Sequence, residues 1–221
     1  MKYFVICLLA VVWVSTLHAA QELNTAQVLT KLDERAKVFT SLEGTLSNTQ
    51  VDADVKAPMK SGKLFIKMDK GSPRILWDVT EPKTQKETYL IEKGRFVLWN
   101  RVTGNVNQKP VESNNDLLQL LVLGFGVPNA TLTKNYAAEV KGRQTVAGVQ
   151  SVVLELKSIT ASTARFPKIT LFLDPTSWTP LRTRIVEKGA LAGDYFDYEY
   201  SNIKLNKGVS DSVFNVKFPK K

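Results

Sequence analysis

The stretch GKLFIKMDKGSPRILWDVTEP, residues 62–82, settles what kind of chain this is. Leu64, Ile66 and Met68 alternate with Lys63, Phe65 and Lys67, and Ile75, Trp77 and Val79 alternate with Arg74, Leu76 and Asp78. A period of two is the signature of strands, whose successive side chains point to opposite faces. Neither strand is cleanly amphipathic, because Phe65 stands opposite Leu64 and Ile66. Two apolar faces predict that one of them is covered by helices or by a ligand.

The same period extends outward in both directions. Strands are predicted at 87–91 and 95–100, joined around Lys93-Gly94, where glycine supplies the positive φ that a tight hairpin needs. Thr103-Gly104-Asn105 forms the next turn. Further strands follow at Ser151–Leu156, Lys168–Leu173, Leu181–Val186, Asp194–Asn202 and Ser212–Phe218. Gly148, Asp174-Pro175, Lys188-Gly189 and Lys207-Gly208 mark the connections.

Two helices are predicted. Val28, Leu29, Leu32, Ala36 and Phe39 recur at helical spacing between Asn24 and Leu42, with Asn24 and Gln27 as a capping box and Gly44 as the stop. Ser113 and Asp116 cap a second helix through Leu117, Leu118, Leu120, Leu121, Val122 and Leu123, ended by Gly124 and Gly126. It is apolar nearly all round, so it is buried or sits against something greasy that comes and goes. With roughly ten strands and no βαβ rhythm, the expected fold class is mainly β (α+β): a strongly curved antiparallel sheet with the helices on its concave side.

The N-terminus reads as an export signal. Lys2 opens it, residues 3–14 are apolar, and Ser15-Thr16-Leu17-His18-Ala19-Ala20 is a small-residue exit with cleavage after Ala19 or Ala20. Residues 1–20 are then the signal peptide and 21–221 one domain in the periplasm. Cys7 and His18 are the only cysteine and histidine, and both fall within the signal. A mature chain without them has no disulfide, no thiol nucleophile and none of the best zinc ligands, which turns the reading from chemistry towards binding. The signal carries one lysine and no acid, so the net charge falls from +9 to +8. The lysines are scattered, as on the wet face of a sheet, with attraction to anionic membranes or acidic partners as the alternative. Nucleic acid is not an expected partner of an exported chain.

Catalysis would have to use carboxylates, as in glycoside hydrolysis. Asp194, Asp197 and Glu199, among Tyr195, Phe196, Tyr198 and Tyr200, are the densest acidic set. Spaced along one strand they read more simply as a solvated edge. No serine sits in a nucleophile elbow.

In order, the first helix, Phe39-Thr40-Ser41-Leu42-Glu43-Gly44, Ser61 to Lys67, Pro73 to Pro82, Tyr89 to Trp99, and Asn202 to Pro219 with its F-x-x-x-P ending resemble the periplasmic outer-membrane lipoprotein carriers, the LolA-like family. The resemblance covers almost the whole mature chain. It implies an unclosed β-barrel capped by helices around a hydrophobic cavity that holds lipoprotein acyl chains. It also implies a monomer without cofactor, metal or catalytic residues. Such a carrier takes cargo from an inner-membrane ABC-type release complex and passes it to an outer-membrane receptor. The lining candidates are Leu29, Leu32, Phe39, Ile66, Trp77, Val97, Trp99, Leu118 and Leu121, residue types that ordinary core packing uses equally. The second helix and the concave aromatics are expected to fill the empty cavity, so Leu118→Glu should abolish lipid uptake. The family's latch arginine before the proline is missing here, and Arg74, one residue past Pro73, is the candidate to replace it at the helical lid or else an exposed charge on a strand. Related branches of the fold bind other lipids or sense misplaced lipoproteins.

Overall fold

In the computed structural model, which describes residues 23–52, 55–57, 59–111, 122–126, 128–160, 164–191 and 193–219, the alternation of residues 62–82 closes as a hairpin. Ile66 pairs with Ile75 and Leu64 with Trp77. The proposed signal, with Cys7 and His18, lies outside the described residues.

The chain begins with helix α1 (Thr25–Val38), capped as expected by the reciprocal Asn24 and Gln27 side chains. Strands β1 (Ser41–Asp52), β2 (Val55–Lys56), β3 (Lys60–Asp69), β4 (Ser72–Glu81), β5 (Glu87–Glu92), β6 (Arg95–Asn100) and β7 (Val106–Pro110) follow. A short helix α2 (Asn129–Asn135) leads into β8 (Tyr136–Val146), β9 (Val149–Ser158), β10 (Lys168–Leu173), β11 (Pro180–Val186) and β12 (Tyr195–Leu205). All ladders are antiparallel. The order is β7-β6-β5-β4-β3-β1-β12-β11-β10-β9-β8, with β2 beside β1, so β7 and β8 are free edges and the barrel is unclosed. This is the predicted architecture.

Several details differ from the prediction. The first helix stops at Val38 because Phe39 is already extended, and Leu42 and Gly44 belong to β1, Gly44 at a bulge against β12. The predicted strand Ser212–Phe218 is instead a 3-10 turn, Asp211–Phe214, and a tail without a ladder. Phe214 dips into the outer face of β4–β6 there, and that anchor takes the place of ladder bonds. The capping pair Ser113 and Asp116 and the residues Leu117 to Leu121 lie outside the described residues.

One glycine is indispensable to the hairpin. A Cβ on Gly62 would stand 1.9 Å from the Asp78 carbonyl oxygen, because the β3–β4 ladder slips between Ser61 and Gly62 and brings the backbones together.

The core divides by sheet face. The inner face gathers Val28 and Leu32 of α1 with Leu42, Leu46, Leu64, Ile66, Ile75, Trp77 and the inward residues of β9–β12. The outer face of β3–β6 packs Leu76, Leu90, Val97 and Phe65 against Val209, Phe214 and Phe218 of the C-terminal tail. The double apolarity of the opening strands is therefore satisfied by two covers, a helix within and a tail without.

Candidate functional site

Five of the lining candidates converge on the concave face. Leu32, Phe39, Ile66 and Trp77 are buried in one cluster and Leu29 packs at its margin. Trp77 stacks on Tyr89, its direct cross-strand partner, with ring centroids 5.0 Å apart, and donates its indole N–H to the Leu46 carbonyl at 3.2 Å. That bond satisfies the one polar atom of a buried indole, and fixes the ring as a wall.

Beside this wall is a cavity of about 90 Å³, bounded by Ile75, Trp77, Tyr89, Ile91, Phe96, Asn48, Lys60 and Tyr198. Its walls are chiefly aromatic and aliphatic, and its polar side is a short network. Lys60 Nζ lies 2.8 Å from Glu87, and the Tyr89 hydroxyl donates to the same carboxylate at 2.6 Å. Burial pushes the Tyr89 phenol far up, and the bond to Glu87 adds to it. Burial also pushes Tyr198 up to about 12, so both rings stay neutral at physiological pH.

The cover over this face is partly apolar and partly tethered. Only Val28 and Leu32 of α1 are fully buried. At its C-terminal end the Asn206 amide donates to the Val38 carbonyl at 2.8 Å and accepts from the Thr40 N–H at 2.9 Å. At its N-terminal end the Val140 N–H donates to the Thr25 hydroxyl at 3.0 Å. Residues 122–126, the end of the predicted second helix, enter the same core. Phe125 sits between Phe39, 6.2 Å away, and Tyr200, 5.1 Å away edge to face. Gly126 is needed here because a Cβ would meet the Phe39 ring at 2.7 Å. Leu118 and Leu121 lie outside the described residues.

Two candidates face the other way. Val97 is buried against the C-terminal tail, and Trp99 meets Phe218 edge to face at 6.0 Å. Alternation along β6 sends Phe96 inward and Val97 outward, so the aromatic that reaches the cavity is Phe96. Tyr89, Phe96 and Tyr198 are not among the lining candidates, although the direct pairing of Tyr89 with Trp77 follows from the meander.

Arg74 reaches the C-terminal tail and not the helix α1. Its guanidinium lies on the outer face, 3.1 Å from Glu92, paired with Asp211 and 4.4 Å above the Phe214 ring. Lys67 reaches Asp211 as well, at 3.0 Å. Position 74 shares the parity of Leu76, and that parity is the tail's side.

The acidic set on β12 is dispersed. Asp197 is buried and held by both arms of Arg184 at 2.8 Å, Asp194 accepts from the Leu191 N–H at 3.0 Å, and Glu199 is exposed. The bidentate bond raises the Arg184 pKa, so this carboxylate is committed to an ion pair. Among the described residues no cluster of histidine, cysteine, aspartate and glutamate could hold a metal ion.

No protein-family profile matches the chain, and neither does any curated protein sequence. Solved structures do. An uncharacterized conserved protein from Thermus thermophilus is 10 % identical over 88 % of this chain and 94 % of its own, with a TM-score of 0.54. MucB is 14 % identical over 87 % of this chain with a TM-score of 0.53, and the match spans 62 % of MucB. The LolA superfamily protein NE2245 from Nitrosomonas europaea is 13 % identical over 88 % of this chain and 98 % of its own, with a TM-score of 0.43. At such identities the likeness to the Thermus protein and to MucB is one of fold. Its unclosed, curved antiparallel sheet, with the strand order and the sequence segments described above, gives this chain a LolA-like fold.

Proposed function

We propose that this protein is a periplasmic carrier that takes acyl chains of lipoproteins into its concave face and shuttles them from the inner to the outer membrane. The observation that carries this reading is an apolar cavity, walled by Trp77, Tyr89 and Phe96, on the same face that α1 covers with only two fully buried residues.

Magnitudes favour a displaceable cover. Sites that enclose a small molecule run to about 300–1,000 Å³, so a cavity of about 90 Å³ must widen to take an acyl chain. Exposing two aliphatic side chains costs roughly 3–6 kcal/mol. Burying about sixteen carbons yields on the order of 12 kcal/mol. Cargo therefore wins the space, and the recovered α1 contacts favour release at an outer-membrane receptor. Loading falls to an inner-membrane ABC-type complex. The engagement of Asp197 by Arg184 and the exposure of Glu199 support a binding protein over a hydrolase.

The test is quenching of Trp77 emission by brominated fatty acid in a Trp99→Phe/Trp178→Phe background, with native mass spectrometry of the purified protein. Quenching that saturates, and a bound acylated peptide, support the carrier. Absence of quenching overturns it. MucB has also been solved in complex with MucA, from Pseudomonas aeruginosa, and this favours a second reading as a regulator that binds a protein. Co-purification of a stoichiometric protein and no lipid would establish that reading instead.

A further inference from the structure

The strand order separates the two ends of the barrel, and they differ in what their loops expose. One end carries the tight turns at Lys70-Gly71, Lys93-Gly94 and Ala147-Gly148, polar or small at the tip, and the β10–β11 connection, whose Trp178 is half-buried against the core. The other end carries the β1–β2–β3, β4–β5, β6–β7, β9–β10 and β11–β12 connections. Six large apolar residues are prominently exposed among the described residues, and five of them stand at this second end. They are Val55, Met59, Val102, Ile159 and Leu191, with Val55 and Leu191 each 70 % exposed. Val38, at the end of α1, is the exception.

We propose that this rim docks on the surface of an anionic phospholipid bilayer, with those five side chains reaching into the headgroup boundary. Lys56, Lys83, Lys86 and Lys188 are exposed on the same connections and make no ion pair among the described residues, against the exposed carboxylates Asp52 and Glu81. Isolated apolar tips beside lysines suit an interface that is greasy below and negatively charged above. A protein partner would instead be met by a contiguous apolar centre with a polar rim. Here the tips are spread from the β6–β7 connection on one half of the sheet to the β9–β10 connection on the other. Tips spread over four connections, with Val55 and Met59 sharing one, fit a deformable plane.

The position of the cavity gives the rim a purpose, and only that purpose rests on the carrier reading. Asn48 and Lys60, which border the cavity, pair with each other near this end, and Tyr198 pairs with Asn48. An acyl chain leaving a bilayer beneath the rim meets the cavity's polar side first.

Flotation with vesicles of phosphatidylethanolamine and phosphatidylglycerol tests the proposal. The protein should float with these vesicles and not with phosphatidylcholine alone, and raised salt should weaken the association. Val55→Asp/Leu191→Asp should lower partitioning at least about tenfold, since each loses an inserted aliphatic group. Lys56→Gln/Lys188→Gln should weaken it less and flatten the salt dependence. Both pairs are exposed, so unchanged circular dichroism is expected and checks the fold. Failure of the wild-type protein to float, or equal flotation of the Asp variant, overturns the proposal. Loss of a co-purified protein with flotation unchanged makes the rim a protein interface and also overturns it. Trp77 quenching by brominated fatty acid in solution reads the cavity separately. It should be unchanged in the Asp variant, and its absence in a wild-type protein that floats would remove the carrier reading while leaving the rim in place.

Discussion

The two covers of the sheet solve the same problem by different physics. Both hide apolar strands from water, one with α1 and the other with the C-terminal tail. On the concave face the contacts are chiefly aliphatic and aromatic, around Val28, Leu32, Phe39 and Phe125. Such contacts are non-directional, and another apolar body can replace them. On the convex face the tail is pinned by direction and charge, through Arg74 and Lys67 to Asp211 and through the Arg74 guanidinium above Phe214. No lipid tail can imitate that set. The carrier proposal makes α1 the cover that yields and the tail the one that stays, and their chemistry differs accordingly.

The largest test of this contrast is Phe214→Ala, which removes a side chain 1 % exposed. It should lower the unfolding free energy by about 3–5 kcal/mol in denaturant titration while leaving lipid uptake intact. Parallel loss of uptake would mean the two faces are not independent. Leu32→Ala should destabilise by about 2–3 kcal/mol, the lower part of the range because a helix with a partly wet face can resettle. Its sharper signature is opposite in sign: acyl affinity should rise, by up to about tenfold for each 1.4 kcal/mol of cover contact removed, as read by Trp77 quenching. Asn24→Ala breaks the capping box and should cost about 1 kcal/mol, with lower helical ellipticity and a smaller gain in affinity.

The smallest effect is expected from acid. The ion pairs with Lys67 first and Arg74 second hold the Asp211 carboxyl below the usual carboxylate range. A group whose folded pKa is lowered stabilises above its unfolded value and loses that contribution as pH falls through the folded one. The tail should therefore loosen as pH drops below about 4, seen in the emission of Trp99 beside Phe218. Asp211→Asn should flatten that dependence and leave Trp77 unaffected.

Much of this was legible in the chain. Period-two alternation in residues 62–79 gave the central hairpin, and Asn24 with Gln27 gave the helix start, because both signals are local. Parity could say that Val97 and Phe96 face opposite ways but not which way was in. With Leu90 and Val97 as apolar as Ile91 and Phe96, the decision belongs to the tail, more than a hundred residues away. The tail itself carries Phe214, Val216 and Phe218 two apart, a spacing that imitates a strand, and only tertiary contact shows that it lies across one. Strand β8 is harder to read because only its first half alternates, with Tyr136, Ala138 and Val140 packed on the core, while Lys141 to Thr145 is a polar, exposed run before Val146. The family resemblance offers Arg74 as a lid latch or an exposed charge, and parity along β4 places it instead on the tail's side, beside Asp211 and Phe214.

The unclosed seam gives the barrel a mechanical axis. Strand β1 carries ladders to β3 on one side and β12 on the other, and it joins two half-sheets whose far edges, β7 and β8, share none. Widening the lumen by swinging those edges apart breaks no strand ladder, whereas any opening at β1 breaks a full one. Amide exchange should accordingly be slowest along β1 and fastest at β7 and β8, and cargo should change the edges while leaving the spine untouched.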